Sequence, residues 1–297
     1  MDEEVNKPKW KVAALESGMK LISFLRHKSK EAESLSLKKL KKTIEANSCL
    51  VNGRPERFAS YRLGLGDLVE FVPSPLRTDF PPISPPILYE DESLLACNKP
   101  PGVPSDKLFP HLHMVHRLDR ETSGVLLFAK DQTSKEAIEL LFKNRSVTKT
   151  YLALVLGKPQ TDGGKIDNYV GEKQRYQGQV LMGVMERPEE GKHAITDWEL
   201  IGKGNRASLL RCFPKTGRTH QIRVHLSSLG LPIVGDYQYN RTTAALPPFK
   251  RCMLHALRLE FPHPLTNSSC IIEVPAPEDF THTLSYFGIP LEYMPHC

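Results

Sequence analysis

Six prolines fall within residues 73–86, read PSPLRTDFPPISPP. Each fixes its own φ and removes a backbone donor, so neither a helix nor a central strand can run through this stretch. A stiff, extended linker is expected, and it divides the chain into a short leading part and a long trailing part. A length of 297 residues suits one large domain or two. The organisation expected is a disordered tail over residues 1–16, a small module over 17–72, the linker over 73–86, and the main domain over 87–297.

The leading part is basic. Residues 1–80 carry 15 Lys or Arg against 11 Asp or Glu. Leu37, Leu40 and Ile44 share one face of a helix, while Lys38, Lys39, Lys41 and Lys42 cover its other faces. A helix dressed in this way is a solvated surface or a grip on phosphates. Leu21, Ile22, Phe24 and Leu25 form an earlier helical patch. Asn52-Gly53 is a hairpin signal after Cys49-Leu50-Val51 and before Arg54, and Leu68–Val72 reads as a closing strand. Trp10 is the one candidate anchor in the tail.

In the trailing part, Ile87–Glu90 and Leu94–Lys99 read as a hairpin. Thr133-Ser134-Lys135-Glu136 has the capping-box pattern for a helix start. Lys149–Gly157 is apolar on both faces and so is expected at the centre of a sheet. The most unusual stretch is His116-Arg117-Leu118-Asp119-Arg120-Glu121-Thr122-Ser123-Gly124, which leads into the apolar run Val125–Ala129. Period-two geometry sets Arg117 and Asp119 on one side and His116 and Leu118 on the other. A second unusual stretch is Thr216-Gly217-Arg218-Thr219-His220-Gln221-Ile222-Arg223. Ile222, Leu226 and Leu229 follow at helical spacing, with Gly230 as the C-terminal stop.

These strings together resemble the RluA-type pseudouridine synthases. HRLDRETSG is similar to that family's HRLD-x-x-TSG signature. Asn98–Gly102 resembles its KP-x-G motif, although Val103–Asp106 stands where the family usually has a His. Lys149-Thr150-Tyr151-Leu152-Ala153 resembles its K-x-Y-x-A motif, Gly191–Thr196 its GK-x-A-x-T strand, and Gly217–Arg223 its G-R-x-H-Q-[IL]-R motif. Leu254-His255-Ala256 and Val274–Pro277 also stand at family-typical positions. The leading part resembles the small αL RNA-binding module named for ribosomal small-subunit protein four, though LISFLRHK lacks the usual Arg-Leu-Asp pattern.

The resemblance implies an α+β fold with a central mixed, mostly antiparallel sheet, and a small αL module ahead of it. It implies an isomerase that converts uridine in structured RNA to pseudouridine. Asp119 is then the catalytic carboxylate, Arg223 its partner, and Tyr151 the ring against the target base. Arg117, His116, Thr122, Lys149, Arg218 and His220 are the further substrate-binding candidates, with Arg117 set to enter the RNA stack. Lys38, Lys39, Lys41, Lys42 and Arg54 are the RNA-binding candidates of the leading module. The chemistry consumes nothing from outside, so neither cofactor nor metal is expected. Ribosomal RNA is the favoured partner and transfer RNA the second.

Other classes fare worse. No apolar run reaches the roughly 18 residues of a membrane helix. MDEEVNKPKW lacks the basic start and apolar centre of an export signal, so a cytoplasmic protein is expected, and a monomer is assumed. The six cysteines show no C-x-x-C spacing, and free thiols are expected. A non-catalytic ribosome-assembly factor on the same fold is the first alternative, disfavoured by the presence of Asp119, Tyr151 and Arg223. A hydrolase using Asp119 with His220 or His116 is the second, and it lacks a second convergent acid or a metal site.

Overall fold

The computed structural model describes all residues except 1–7, 46–47, 57, 72–83, 177–178, 241–248, 250 and 294–297. Most of the proline-rich stretch therefore lies outside the described residues, and so does Cys297. Two compact units divide the chain between residues 82 and 83.

The first unit runs through strand β1 (Lys9–Lys11), helices α1 (Leu21–Lys28), α2 (Lys30–Ser34) and α3 (Leu37–Glu45), and strands β2 (Cys49–Val51), β3 (Arg54–Pro55) and β4 (Leu68–Phe71). Its four-stranded sheet has the order β1-β4-β2-β3. The β1 strand corrects the expected tail. Trp10 pairs with Val69, and Val12 is buried, so residues 9–12 belong to the fold. A stretch too short to read as periodic still forms an edge strand when a partner strand satisfies its backbone. Asn52 and Gly53 both take positive φ, as a two-residue hairpin turn requires. Asn52 then ties this turn to the next through its amide, which donates to Asp67 Oδ1 at 2.8 Å. On α3, Leu40 and Ile44 are buried but Leu37 is 58% exposed. Thr43 completes the inward face instead, because its hydroxyl is satisfied by the Lys39 carbonyl one turn back.

The second unit holds β5 (Ile87–Glu90), β6 (Leu94–Lys99), β7 (His113–Met114), β8 (Ser123–Ala129), α4 (Gln132–Lys143), β9 (Thr148–Leu156), β10 (Gly163–Tyr176), β11 (Gln179–Met185), β12 (Lys192–Lys203), β13 (Ala207–Pro214), α5 (Gln221–Ser228), β14 (Leu254–Pro262), β15 (Ser269–Glu273) and α6 (Glu278–Tyr286). Among the described residues these strands form one mixed sheet ordered β11-β10-β12-β13-β9-β14-β8-β6-β5, with β15 on β14 and β7 on β8. Its pairs are antiparallel except β14 with β8. The fold class is thus α+β, with a mostly antiparallel sheet.

β8 is buried along its whole length, and β9 lies between β13 and β14. Continuous apolar runs mark such central strands because both faces are covered. Gly124 takes φ +112, and a Cβ there would stand 2.1 Å from the Ala256 carbonyl oxygen, so only glycine lets β8 start beside β14. The helix α4 starts differently from its sequence pattern. Asp131, not Thr133, is the N-cap, and its carboxylate accepts the Ser134 N–H at 2.8 Å. An Asp caps better than a Thr, and it stands two positions earlier.

Candidate active site

The loop from His116 to Thr122 crosses the mouth of the sheet without forming a strand. It is held from below by the segment that follows β6. Lys99 is fully buried and donates to three carbonyls, of Pro100 (2.9 Å), Val103 (2.9 Å) and Arg120 (3.0 Å). Burial lowers its pKa to about 8. Gly102 N–H donates to the Arg120 carbonyl at 2.8 Å, and Arg120 Nε donates back to the Gly102 carbonyl at 2.8 Å. Ser105 both accepts from the Leu118 N–H (3.1 Å) and donates to its carbonyl (2.9 Å). The departure from the family pattern at residues 103–106 therefore contributes a clamp on the backbone one residue before Asp119.

The loop keeps the sidedness expected from its sequence. Leu118 is buried, and His116 Nε2 accepts the Leu127 N–H at 3.0 Å, pinning the loop to β8. Burial lowers the His116 pKa to about 3, so the ring is neutral, as an acceptor nitrogen requires. It lines the site, but that nitrogen is already committed to Leu127. Arg117 is exposed and makes no ion pair or hydrogen bond with the described residues, while the Asp119 side chain is 21% exposed. Thr122 closes the turn by donating its N–H to the Asp119 carbonyl at 3.0 Å.

Asp119 stands in a cleft of about 420 Å3, within the range of small-ligand sites. Tyr151, Lys149, Thr122, Arg218, His220 and Arg223 also line it, so the structure gathers the catalytic-domain candidates around one cavity. Arg223 Nη1 donates to Asp119 Oδ2 at 3.2 Å. The rest of the guanidinium is gripped more tightly elsewhere. Its Nε meets Asp236 Oδ2 at 2.7 Å, and Nη2 meets Asp236 Oδ1 at 2.9 Å and Gln238 Oε1 at 3.0 Å. The Tyr239 ring lies 4.9 Å from the guanidinium carbon. Burial alone would weaken the cation, but the Asp236 and Asp119 carboxylates more than reverse this, and the Arg223 pKa is raised well above its ordinary value.

The other candidates divide by role. Burial and then the Asp119 charge raise the Tyr151 pKa, so it remains a phenol, and its hydroxyl has no hydrogen-bond partner among the described residues. Lys149 donates to the Thr216 carbonyl at 3.0 Å, and burial followed by the Arg218 and Lys215 charges lowers its pKa to about 8. Arg218 Nε donates to the His193 carbonyl at 2.9 Å, which fixes the guanidinium against β12. His220 takes a left-handed φ of 54 as the N-cap of α5, and its Nδ1 is 2.8 Å from the Tyr239 hydroxyl.

A family profile described as RNA pseudouridylate synthase matches residues 93–228, a span that includes Asp119, Tyr151 and Arg223. An uncharacterised RNA pseudouridine synthase of Chlorobaculum parvum is 32% identical, over 90% of this chain and 94% of its own. The chain belongs to the RNA pseudouridine synthase family. A ribosomal large subunit pseudouridine synthase C of Salmonella typhimurium is also 32% identical, over 89% of this chain and 91% of its own. The solved structure of human RNA pseudouridylate synthase domain containing 1 superposes with a TM-score of 0.58 at 32% identity, over 65% of this chain and 83% of that one. This synthase is therefore an isomerase that converts uridine in RNA to pseudouridine.

In the first unit of the synthase, Lys38, Lys39, Lys41 and Lys42 are all exposed on α3. Arg54 lies in β3, and its side chain is outside the described part of the structure. No described helix is long and apolar enough to cross a membrane. Three side chains of the synthase site carry no candidate role in the sequence reading: Asp236, Gln238 and Tyr239. The signal available for them was Gly235-Asp236 after the apolar run Leu231–Val234, a turn pair placed where a sheet meets a cleft.

Proposed function

We propose that Asp119 is the catalytic residue of this synthase, and that its target is a uridine in large-subunit ribosomal RNA. The observation that carries the first part is the single 3.2 Å contact from Arg223 Nη1 to Asp119 Oδ2 inside a cleft lined by Tyr151. It orients the carboxylate and leaves Asp119 Oδ1 free to face the sugar. The large-subunit assignment is supported by the relative from Salmonella typhimurium, which is named a ribosomal large subunit pseudouridine synthase.

The reaction breaks the bond from uracil N1 to ribose C1′, turns the base, and joins C5 to C1′, with the C5 proton passing to water and N1 taking one up. Asp119 either attacks C1′ or removes the C2′ proton, and the same carboxylate geometry serves both routes. Tyr151 gives the detached base a flat face, and its retained proton lets the hydroxyl donate to the N1 freed when the glycosidic bond breaks. Arg117 is free to fill the space that the flipped nucleotide vacates, as enzymes that extract a base require. Lys149 and Arg218, fixed by backbone carbonyls, hold phosphates at the rim. The lysine face of α3 adds sequence-independent affinity.

The test is tritium release from RNA labelled at uracil C5, taken from cells lacking the gene and separated into large-subunit, small-subunit and transfer RNA. Release from the large-subunit fraction by the wild type, and none by Asp119→Asn, is expected. Release from transfer RNA alone would move the target, and release by the variant would remove Asp119 from the chemistry.

A further inference from the structure

Arg223 has two carboxylate partners, and the one at the chemistry is the weaker. Asp236 takes Nε and Nη2 in a bidentate fork at 2.7 and 2.9 Å, whereas Asp119 has one contact at 3.2 Å. The Asp236 side chain is 1% exposed. Its remaining acceptor capacity faces the N–H groups of Gln238 (3.2 Å) and Tyr239 (3.3 Å). The turn that delivers it needs Gly235, which has φ +74 and whose added Cβ would lie 1.9 Å from the Arg251 carbonyl oxygen. A backbone contortion, a bidentate fork and a stacked Tyr239 ring are all spent on one guanidinium.

We propose that Asp236 is a positioning residue of the isomerisation: by holding Arg223 in a bidentate fork it limits Arg223 to a single contact with Asp119 and offsets its charge. This rests on Asp119 being the catalytic carboxylate. A guanidinium whose only partner was Asp119 would close a two-pronged fork on it, since that geometry is the strongest available to the pair. Both carboxylate oxygens would then be engaged and neither could reach the ribose. With Asp236 in place, Nε and Nη2 are already used, and Asp119 Oδ1 stays open. Charge follows the same logic. Asp119 faces an ion pair that is neutral as a whole, so its electrons are less firmly held than they would be beside a lone cation.

The groups facing Asp119 and Arg223 come from every surrounding element. They are Arg117 on the loop, Lys99 on β6, Tyr151 on β9, His220 on α5, and Tyr239 and Cys252 beside Asp236. Of these, His220 titrates on the acid side, lowered to about 4 by burial and then by Arg223. Loss of the Asp236 charge removes a support of the His220 cation and so moves the His220 titration further down.

The experiment compares wild type, Asp119→Asn and Asp236→Asn in tritium release from C5-labelled total RNA of cells lacking the gene, with kcat, KM and the pH profile of kcat. For Asp236→Asn the expected result is a kcat lower by about a hundredfold, a KM within about threefold of wild type, and an acid limb moved down by about one pH unit. A wild-type kcat, or a lowered kcat with an unmoved acid limb, overturns the proposal. Should Asp236→Asn not fold, the test passes to Asp236→Glu, which keeps the charge but moves the fork by one methylene. Its kcat is expected to fall by about threefold to tenfold with KM and the acid limb unchanged, and a wild-type kcat overturns the proposal. A wild type that releases no tritium would instead overturn the catalytic reading itself.

Discussion

The two units of this synthase bury different things. The core of the first unit is apolar, built from side chains such as Leu21, Phe24, Leu25, Leu40, Val69 and Phe71, and its cations stand on the surface of α3. The second unit buries Lys99, Arg223, Arg251 and Asp236 around the loop that carries Asp119. Buried charge is costly unless it is paired and hydrogen-bonded, and each of these side chains has named partners. Arg251, for example, forks onto Asp279 at 2.6 and 2.9 Å and also reaches the Cys252 carbonyl at 3.1 Å. The phosphate grip proposed for α3 needs charge that water can reach, whereas the role proposed for Asp119 needs charge that water cannot. The contrast predicts that substitutions in the second unit act on kcat and stability together, and those on α3 act on affinity alone.

The largest effect expected is that of Arg223→Met. It leaves Asp236 buried without its cation and Asp119 without orientation, and the stability cost should be about 3–5 kcal/mol by urea denaturation, with tritium release abolished. A stable, active Arg223→Met would break the contrast at its strongest point. Tyr151→Phe keeps the ring and removes the hydroxyl. It should lower kcat by about tenfold to a hundredfold with KM nearly unchanged, and a wild-type kcat would confine Tyr151 to stacking.

Lys99 gives a pH signature. Its folded pKa is lowered by burial to about 8 from the ordinary 10.5, so between these values the unfolded chain binds more protons. Its contribution to stability is therefore complete above about 10.5 and is lost as pH falls through about 8. The stability of wild type relative to Lys99→Met should rise between pH 8 and pH 10, measured as urea midpoints, and a constant difference would contradict the buried, proton-shedding lysine. The smallest effect belongs to α3. Replacing Lys38, Lys39, Lys41 and Lys42 with Gln should leave saturated kcat unchanged and lower the salt slope of RNA binding by about 3. A changed kcat would sharpen the comparison by tying the lysine helix to catalysis.

Much of this site was legible because its chemistry is written in short strings. Asp119 sits between arginines ahead of an apolar strand, and Arg223 follows on a helix whose stop at Gly230 is marked. What escaped depended on three-dimensional neighbours. Asp236 gains its role from an arginine 13 residues away, and no periodicity links the two. Lys99 reads as the end of a strand, but it is a buried strut because three carbonyls converge on it. The exposed Leu37 and Leu229 show that helical spacing proposes a face without saying how far along the helix that face is covered. The edge strand at Lys9–Lys11 was invisible because three residues carry no period, and only pairing with β4 defines it.

The most direct test of Asp119 is genetic and chemical at once. Pseudouridines are mapped by sequencing in the large-subunit ribosomal RNA of cells lacking the gene, then in the same cells expressing wild type or Asp119→Asn at equal levels. A position that loses pseudouridine in the deletion, regains it with wild type and stays uridine with Asp119→Asn is the predicted result. Restoration by Asp119→Asn would contradict the account, because the carboxylate held by Arg223 would then not be the group that performs the isomerisation.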